Sequence, residues 1–165
     1  MRVVFANSAW VSAAERLILR GGSWRSVKLR VRYGLIFHPT VGPVLIDTGY
    51  TPEALTGDRR GRMLRLYGAL LKPELNPAGQ ILPVLERFGL SPDDIRAVVV
   101  THFHADHISG LSLFRNARFI ASDAAWARVK ARAPRQNLRH GVFTELFPAD
   151  FEVRLDGLSA RRQPS

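Results

Sequence analysis

Residues 97–110 have the sequence AVVVTHFHADHISG, in which four apolar residues and a threonine precede a segment with three histidines and an aspartate. The apolar run is typical of a strand in a sheet that is covered on both faces. Side chains two residues apart at the end of a strand point to the same side, so His102 and His104 are expected to share one metal ion. Asp106 and His107 follow where the chain must turn into a helix, and such a turn can direct both side chains to a second ion. The stretch therefore predicts metal binding.

The chain contains no cysteine, so a metal must be held by imidazole and carboxylate groups. Zinc is the expected ion, although iron, manganese and cobalt accept the same ligands. Two ions close together can share a water molecule, lower its pKa and hold the resulting hydroxide as a nucleophile, while they polarise a carbonyl or phosphoryl oxygen of the substrate. A carboxylate such as Asp106 can orient the attack and pass a proton to the leaving group, which makes Asp106 the candidate catalytic residue.

Predicted strands precede the histidine stretch. Residues 27–37 alternate apolar and basic side chains, as in a half-buried strand, and residues 44–46 predict a buried strand that ends at Asp47-Thr48-Gly49. A short strand is also expected at residues 3–5. Residues 51–75 contain several glycines and a proline among apolar residues, which indicates a loop or loosely helical insertion that could cover a site.

Predicted helices flank the same stretch. Apolar spacing indicates a helix over residues 77–88 ended by Gly89, and a second helix over residues 122–133 with Ser122 as its N-cap. Residues 117–121 predict a strand between the histidines and that second helix. Residues 161–165 are expected to form a frayed end. Alternating strands and helices without repeats predict one α/β domain spanning residues 1–165.

Composition narrows the class of protein. A chain of 165 residues that is 46% hydrophobic and 23% charged is an ordinary globular protein rather than a disordered or fibrous one. No stretch approaches the roughly 18 to 20 apolar residues of a membrane span, so we expect a cytoplasmic protein without a membrane partner. The net charge is +10, but the arginines are scattered. We interpret them as a solvated surface and do not expect nucleic acid to be the partner.

The residues around the histidines resemble a known family. Residues 101–110 resemble the signature loop of the metallo-β-lactamase superfamily, and residues 45–49, Leu-Ile-Asp-Thr-Gly, resemble the buried strand and turn that precede it there. The resemblance implies the N-terminal half of a four-layer αββα sandwich, with a mixed sheet and flanking helices. Residues 103–111 and the segment after them look most similar to the lactonase-like and organophosphate-hydrolase-like branches. These branches imply a small lactone or another ester-like molecule as the substrate.

The same resemblance implies a role for each site residue. His102 and His104 correspond to ligands of the first of two zinc ions, and Asp106 and His107 correspond to ligands of the second. Asp47 resembles an aspartate that lies beneath the metals, where it holds the loop rather than binding an ion.

The family's remaining ligands have no counterpart in the sequence. The family adds a histidine in a Gly-His turn, a bridging aspartate and a last histidine. His140 alone follows His107, and its context is not that turn, so we predict a surface or helix-end histidine. Asp150 and Asp156 are expected to be exposed or capping carboxylates. We therefore expect the motif to be a half-site, in a fragment or in a chain that another chain completes, with a homodimer as one arrangement.

Two alternatives stay open. A basic chain of this family could bind RNA or act as a nuclease, or the chain could be an inactive fragment. Amidohydrolase barrels also place a His-x-His pair after a strand, but they need roughly 250 residues or more. A half of the sandwich on its own would expose the sheet face meant for its partner.

Overall fold

The computed structural model describes residues 1–58 and 60–158, and within that part seven strands form one mixed sheet. In chain order, β1 to β7 are Arg2–Ala14, Ser26–His38, Gly42–Ile46, Glu74–Leu75, Ala97–Val99, Arg118–Ser122 and Leu155–Leu158. Their order in the sheet is β4-β1-β2-β3-β5-β6-β7. Strands β4, β1, β2 and β3 pair antiparallel, whereas β3, β5, β6 and β7 pair parallel. The predicted mixed sheet is confirmed.

Short helices connect these strands. In chain order, α1 to α7 are Glu15–Ile18, Glu53–Thr56, Arg62–Leu71, Ile81–Glu86, Ala105–Ile108, Asp123–Ala131 and Pro134–Arg139. Single 3-10 turns occur at Pro77–Gly79, Pro92–Asp94, Leu111–Leu113 and Thr144–Leu146. Among the described residues, no helix combines the length and the apolar character needed to cross a membrane.

The antiparallel half of the sheet extends further than its sequence pattern predicts. The strand expected at residues 3–5 continues to Ala14, because β1 pairs with β2 from Arg2 opposite Phe37 to Ala14 opposite Ser26. Small and polar residues have weak strand propensity, so this pairing, rather than local preference, extends the strand. The predicted strand over residues 27–37 is confirmed as β2.

The helix predicted over residues 77–88 is split. A 3-10 turn comes first, and α4 itself covers Ile81–Glu86. Pro83 is the third residue of α4, where a backbone N–H would have no acceptor within the helix, so the proline is tolerated. Gly89 adopts a φ of +65° after the helix, as its predicted role at the helix end requires.

Two other regions differ in detail from their predictions. The insertion over residues 51–75, predicted to be a loop or loosely helical, contains the helices α2 and α3 and ends in strand β4. Helix α6 begins as predicted, with the Ser122 hydroxyl accepting a hydrogen bond from the amide of Ala125, but it ends at Ala131.

Strand β7 has no sequence signal and forms through parallel pairing with β6. The frayed end predicted at residues 161–165 lies outside the described residues.

The two faces of the sheet are covered unequally. On the inner face, Leu35, Leu45 and Phe119 are fully buried beneath the helices. On the other face, Phe5 remains 68% exposed and lies over Gly34, where an added Cβ would be 3.2 Å from its ring. This face of the sheet therefore carries an exposed aromatic ring.

Candidate metal centre

The three histidines of the motif lie together. The ring centroids of His102 and His104 are 4.5 Å apart, and those of His102 and His107 are 3.9 Å apart. The sequence predicts that His102 and His104 lie at the end of the strand. Strand β5 ends earlier, at Val99, so both histidines lie beyond it. They share a side because the backbone stays extended beyond it, with φ −68° and ψ 149° at His104.

Phe103 anchors the segment between the first two histidines. Its side chain is 4% exposed and contacts three aromatic rings edge-on, with centroid distances of 5.5 Å to Trp126, 5.7 Å to Phe147 and 6.2 Å to Phe151. Because alternate side chains of an extended segment point in opposite directions, burying Phe103 directs His102 and His104 away from the core. Sequence reasoning missed this anchor, although the apolar residue between two histidines is its signal.

Helix α5 supplies Asp106 and His107, at the turn from extended chain into helix that the sequence predicts. The first amide of α5, on Ala105, donates to the carbonyl of Gly141 at 2.9 Å, which ties the helix to the loop after α7. A carboxylate oxygen of Asp106 lies 3.4 Å from Nε2 of His107. The structure therefore brings all four predicted ligands into one cluster.

Asp47 supports this cluster from below. Its Oδ1 accepts a hydrogen bond from the Thr101 amide at 2.8 Å, and its Oδ2 accepts from the Thr101 hydroxyl at 2.7 Å and lies 2.8 Å from Nδ1 of His107. The residue is buried and has a φ of +59°, a region that non-glycine residues rarely occupy outside turns and functional sites. Both carboxylate oxygens are thus already engaged with protein donors.

These hydrogen bonds select the tautomers of two histidines. The Thr101 hydroxyl donates to Asp47, so it is left to accept from Nδ1 of His102, which lies 3.0 Å away. Likewise, Asp47 takes the Nδ1 proton of His107. A histidine whose Nδ1 donates to a neighbour presents Nε2 as the electron-pair donor. In the neutral form of each ring, Nε2 of His102 and of His107 is therefore the nitrogen that offers an electron pair to a metal ion.

A second set of hydrogen bonds joins the Asp47 turn to the histidine loop. The amide and the hydroxyl of Thr48 both donate to the carbonyl of His107, at 2.8 and 2.9 Å. The Ser109 hydroxyl accepts from the Thr51 amide at 2.8 Å and donates to the Gly49 carbonyl at 3.0 Å. These hydroxyls were not predicted, because their partners lie almost 60 positions away in the sequence.

Burial and charge shift the pKa values of the site in different directions. Burial, followed by the neighbouring imidazoles, lowers the pKa of His102, and burial also lowers the pKa of His104. For His107, burial is outweighed by hydrogen bonds to Asp106 and Asp47, which raise its pKa to about 9. Burial opposes ionisation of Asp106, but the hydrogen bond and charge of His107 hold its pKa below the usual range. Asp106 is therefore ionised at neutral pH.

The remaining candidate residues lie outside the cluster. His140 is exposed just after α7, as expected of a helix-end histidine, although it is near enough to His104 to contribute to lowering the pKa of that residue. Asp150 is exposed and paired with Arg154, and Asp156 is exposed and paired with Arg118. Neither carboxylate joins the histidines.

Chemically, the cluster has the donors of a metal site. Among the described residues, Asp47, His102 and His107 each offer one ligand atom, all within 4.8 Å of one another. Because the oxygens of Asp47 are engaged with Thr101 and His107, Asp106 is the carboxylate with greater freedom to bind an ion. Imidazole and carboxylate groups in this number suit zinc and other borderline divalent ions.

Known proteins are similar to this chain in sequence. Residues 33–137 match the metallo-beta-lactamase superfamily. An N-acyl homoserine lactonase of Agrobacterium fabrum is 33% identical over 125 residues, which cover 75% of this chain and 42% of the relative. The chain thus spans less than half the length of such curated relatives.

Solved structures agree on the fold. A probable metal-dependent hydrolase from Staphylococcus aureus superimposes with a TM-score of 0.72 at 18% identity, covering 99% of this chain and 61% of that one. A quorum-quenching N-acyl homoserine lactone lactonase superimposes with a TM-score of 0.68 at 19% identity, covering 94% and 56%. The family match extends over more than half of the chain and includes the whole histidine cluster. The chain belongs to the metallo-β-lactamase superfamily.

Proposed function

We propose that this chain carries the first half of the metal site of a zinc-dependent hydrolase that acts on a lactone or another ester-like small molecule. The observation that carries the proposal is the convergence of three imidazoles and the Asp106 carboxylate on a single loop, with two of the imidazoles already oriented through Nδ1. Residues 1–165 form one domain in this proposal, and the ligands that the family adds come from further chain or from a partner.

The donor set fits two zinc ions. His102 and His104 would hold the first ion, and Asp106 and His107 would hold the second, with Asp47 supporting the loop. Bound zinc supplies Lewis acidity, which polarises a carbonyl oxygen and lowers the pKa of water. Asp47 would strengthen zinc binding, because a carboxylate that is hydrogen-bonded to a ligating histidine fixes the orientation of the ring and makes it a stronger donor.

The protein's own groups then have defined tasks. Asp106 is ionised at neutral pH and partly accessible, with 23% of its side chain exposed, so its carboxylate oxygen can take up a proton from the attacking water. The same oxygen can return that proton to the alkoxide that leaves when an ester or lactone C–O bond breaks. Phe103 and the hydroxyls of Thr48 and Ser109 keep the loop in place during both transfers.

The choice of a lactone rests on the relatives. Curated relatives at 29–33% identity are N-acyl homoserine lactonases, and solved structures with the same fold include lactonases. A small uncharged ring with one reactive carbonyl also matches a site that offers one carboxylate for proton transfer. We therefore place lactones ahead of phosphoryl substrates and nucleic acid.

Metal content tests the proposal directly. We expect the purified chain to retain zinc by elemental analysis after dialysis, and the double variant His102→Ala/His104→Ala to lose most of it. His140→Ala is the matched control, because that histidine is exposed and outside the cluster. Equal zinc in the wild-type protein and the double variant would overturn the proposal. Hydrolysis of an N-acyl homoserine lactone, followed by proton release in a pH-stat, tests the substrate class separately.

A further inference from the structure

The hydroxyl of Tyr50 is buried without a hydrogen-bond partner. The side chain is 0% exposed, and its hydroxyl oxygen contacts no donor or acceptor at hydrogen-bonding distance within the described part of the chain. Leaving a buried polar group unpaired disfavours folding by roughly tenfold or more in the equilibrium constant. Phenylalanine would fill the same space without this cost, so an unpaired hydroxyl in a native core calls for a functional explanation.

The backbone of Tyr50 is fixed. Its amide donates to the Ser8 hydroxyl at 2.8 Å, and its carbonyl accepts from Nε2 of Gln80 at 3.2 Å. The next residue, Thr51, donates through its amide to the Ser109 hydroxyl at 2.8 Å. The tyrosine thus belongs to the turn that begins at Asp47, and it is held against the histidine loop. Its hydroxyl has to find a partner nearby rather than move to one elsewhere.

The turn that carries Tyr50 lies against the loop that carries Asp106, because the amide of Thr51 donates to the hydroxyl of Ser109, three residues beyond Asp106. Burial raises the pKa of Tyr50, and the negative charges that Tyr67 and Asp106 can carry raise it further, whereas Arg60 opposes them. Tyr67 lies beside the loop after α7, since its hydroxyl would be 2.7 Å from a Cβ added at Gly141, whose carbonyl accepts from the Ala105 amide. The raised pKa keeps the proton on the Tyr50 hydroxyl, which can therefore donate a hydrogen bond, and Asp106 is the carboxylate whose charge acts on it.

Asp106 needs a new donor once His107 becomes a ligand. In the structure, its carboxylate faces Nε2 of His107 at 3.4 Å. A metal-ligating imidazole must use the Nε2 electron pair, because Nδ1 is taken by Asp47, and it then has no proton to share with Asp106. The carboxylate oxygen that does not bind an ion is left to accept a hydrogen bond from another group.

We propose that Tyr50 is a positioning residue whose buried hydroxyl donates a hydrogen bond to the Asp106 carboxylate when Asp106 and His107 serve as metal ligands. This inference rests on the proposed function. It explains why the core keeps an unsatisfied hydroxyl. The unpaired hydroxyl destabilises the metal-free protein, and zinc binding removes this destabilisation by giving the hydroxyl an acceptor. Tyr50 acts through Asp106 and does not touch the substrate.

The variant Tyr50→Phe tests the proposal with zinc as the probe. We expect zinc affinity, measured by competition with a chromophoric chelator, to fall about tenfold, as for other groups that orient metal ligands. We expect the metal-free variant to melt at the same temperature as the wild type or higher, because it loses an unpaired hydroxyl. Zinc should also produce a near-ultraviolet tyrosine difference spectrum in the wild-type protein that Tyr50→Phe lacks.

Tyr33→Phe is the matched control. Its hydroxyl is buried and donates to the Gly79 carbonyl at 3.1 Å, so the metal-free variant should melt lower while its zinc affinity stays unchanged. Unchanged zinc affinity in Tyr50→Phe, or a lower melting temperature for its metal-free form, would overturn the inference and leave the proposed function standing. Failure of the wild-type protein to bind zinc would overturn both.

Discussion

Oδ2 of Asp47 and Nδ1 of His107 lie 2.8 Å apart, which joins two residues 60 positions apart in the sequence. The contact orients the imidazole from beneath and connects the turn after β3 to helix α5. It also places a negative charge where it favours a protonated His107 as long as no metal is bound. The behaviour of the site with and without zinc follows from this pair.

Asp47→Asn should weaken zinc binding by about 10- to 100-fold, the usual effect of removing a carboxylate that orients a ligating histidine. Asparagine tolerates the positive φ of residue 47, so the backbone should persist, but its amide group supplies one acceptor oxygen where three donors converge. Chelator competition measures the change. Asp150→Asn, at an exposed carboxylate, should bind zinc like the wild type, and equal affinities for all three proteins would contradict the role of Asp47.

The metal-free protein should lose stability as the pH rises toward 9. The pKa of His107 is raised to about 9 in the folded protein, against about 6.5 in the unfolded chain, so its stabilising contribution is complete below pH 6.5 and disappears as the pH passes 9. The shift corresponds to about 3 kcal/mol at most. Urea unfolding of chelator-treated protein at pH 6.5 and 9.5 measures it. His107→Gln should lack this loss, and a parallel loss in both proteins would assign it to other groups.

Gly49→Ala should destabilise the protein more than Gly89→Ala. Both glycines have a positive φ, +71° and +65°, so both substitutions incur strain of about 1–2 kcal/mol. A Cβ at Gly49 would also lie 2.5 Å from the Ser8 hydroxyl, whereas a Cβ at Gly89 has no atom within 4 Å. The difference between the two free energies of unfolding therefore reports the contact with Ser8. Equal destabilisation would show that the turn relaxes away from Ser8 at no cost.

Phe103→Ala should cost about 3–5 kcal/mol of unfolding free energy, as expected when a buried aromatic side chain is truncated. Zinc affinity should fall as well, because the ring anchors the segment that carries His102 and His104. Phe5→Ala is the control on the open face of the sheet, where the ring is 68% exposed, and it should change the free energy by less than about 1 kcal/mol. Chemical denaturation distinguishes the two. If Phe103→Ala kept the full free energy of unfolding, the ring would not anchor this segment.

Local sequence patterns predict those elements of the fold that depend only on residues close together in the sequence. The alternation in β2, the apolar run of β5 and the cap at Ser122 are all recovered in the structure, because each depends on side chains a few positions apart. Strand β7 and the far end of β1 are different. They are strands only because a neighbouring strand pairs with them, and that pairing is a property of the assembled sheet.

The same division applies to the site. The sequence by itself determined that His102, His104, Asp106 and His107 would lie together, since one loop carries all four. Only the tertiary structure decided that Nδ1 of His107 faces Asp47 and that the Tyr50 hydroxyl is buried without a partner in the described part of the chain. Those facts depend on β3 and β5 pairing side by side, which brings residues about 60 positions apart within hydrogen-bonding distance, and no local pattern records such a contact.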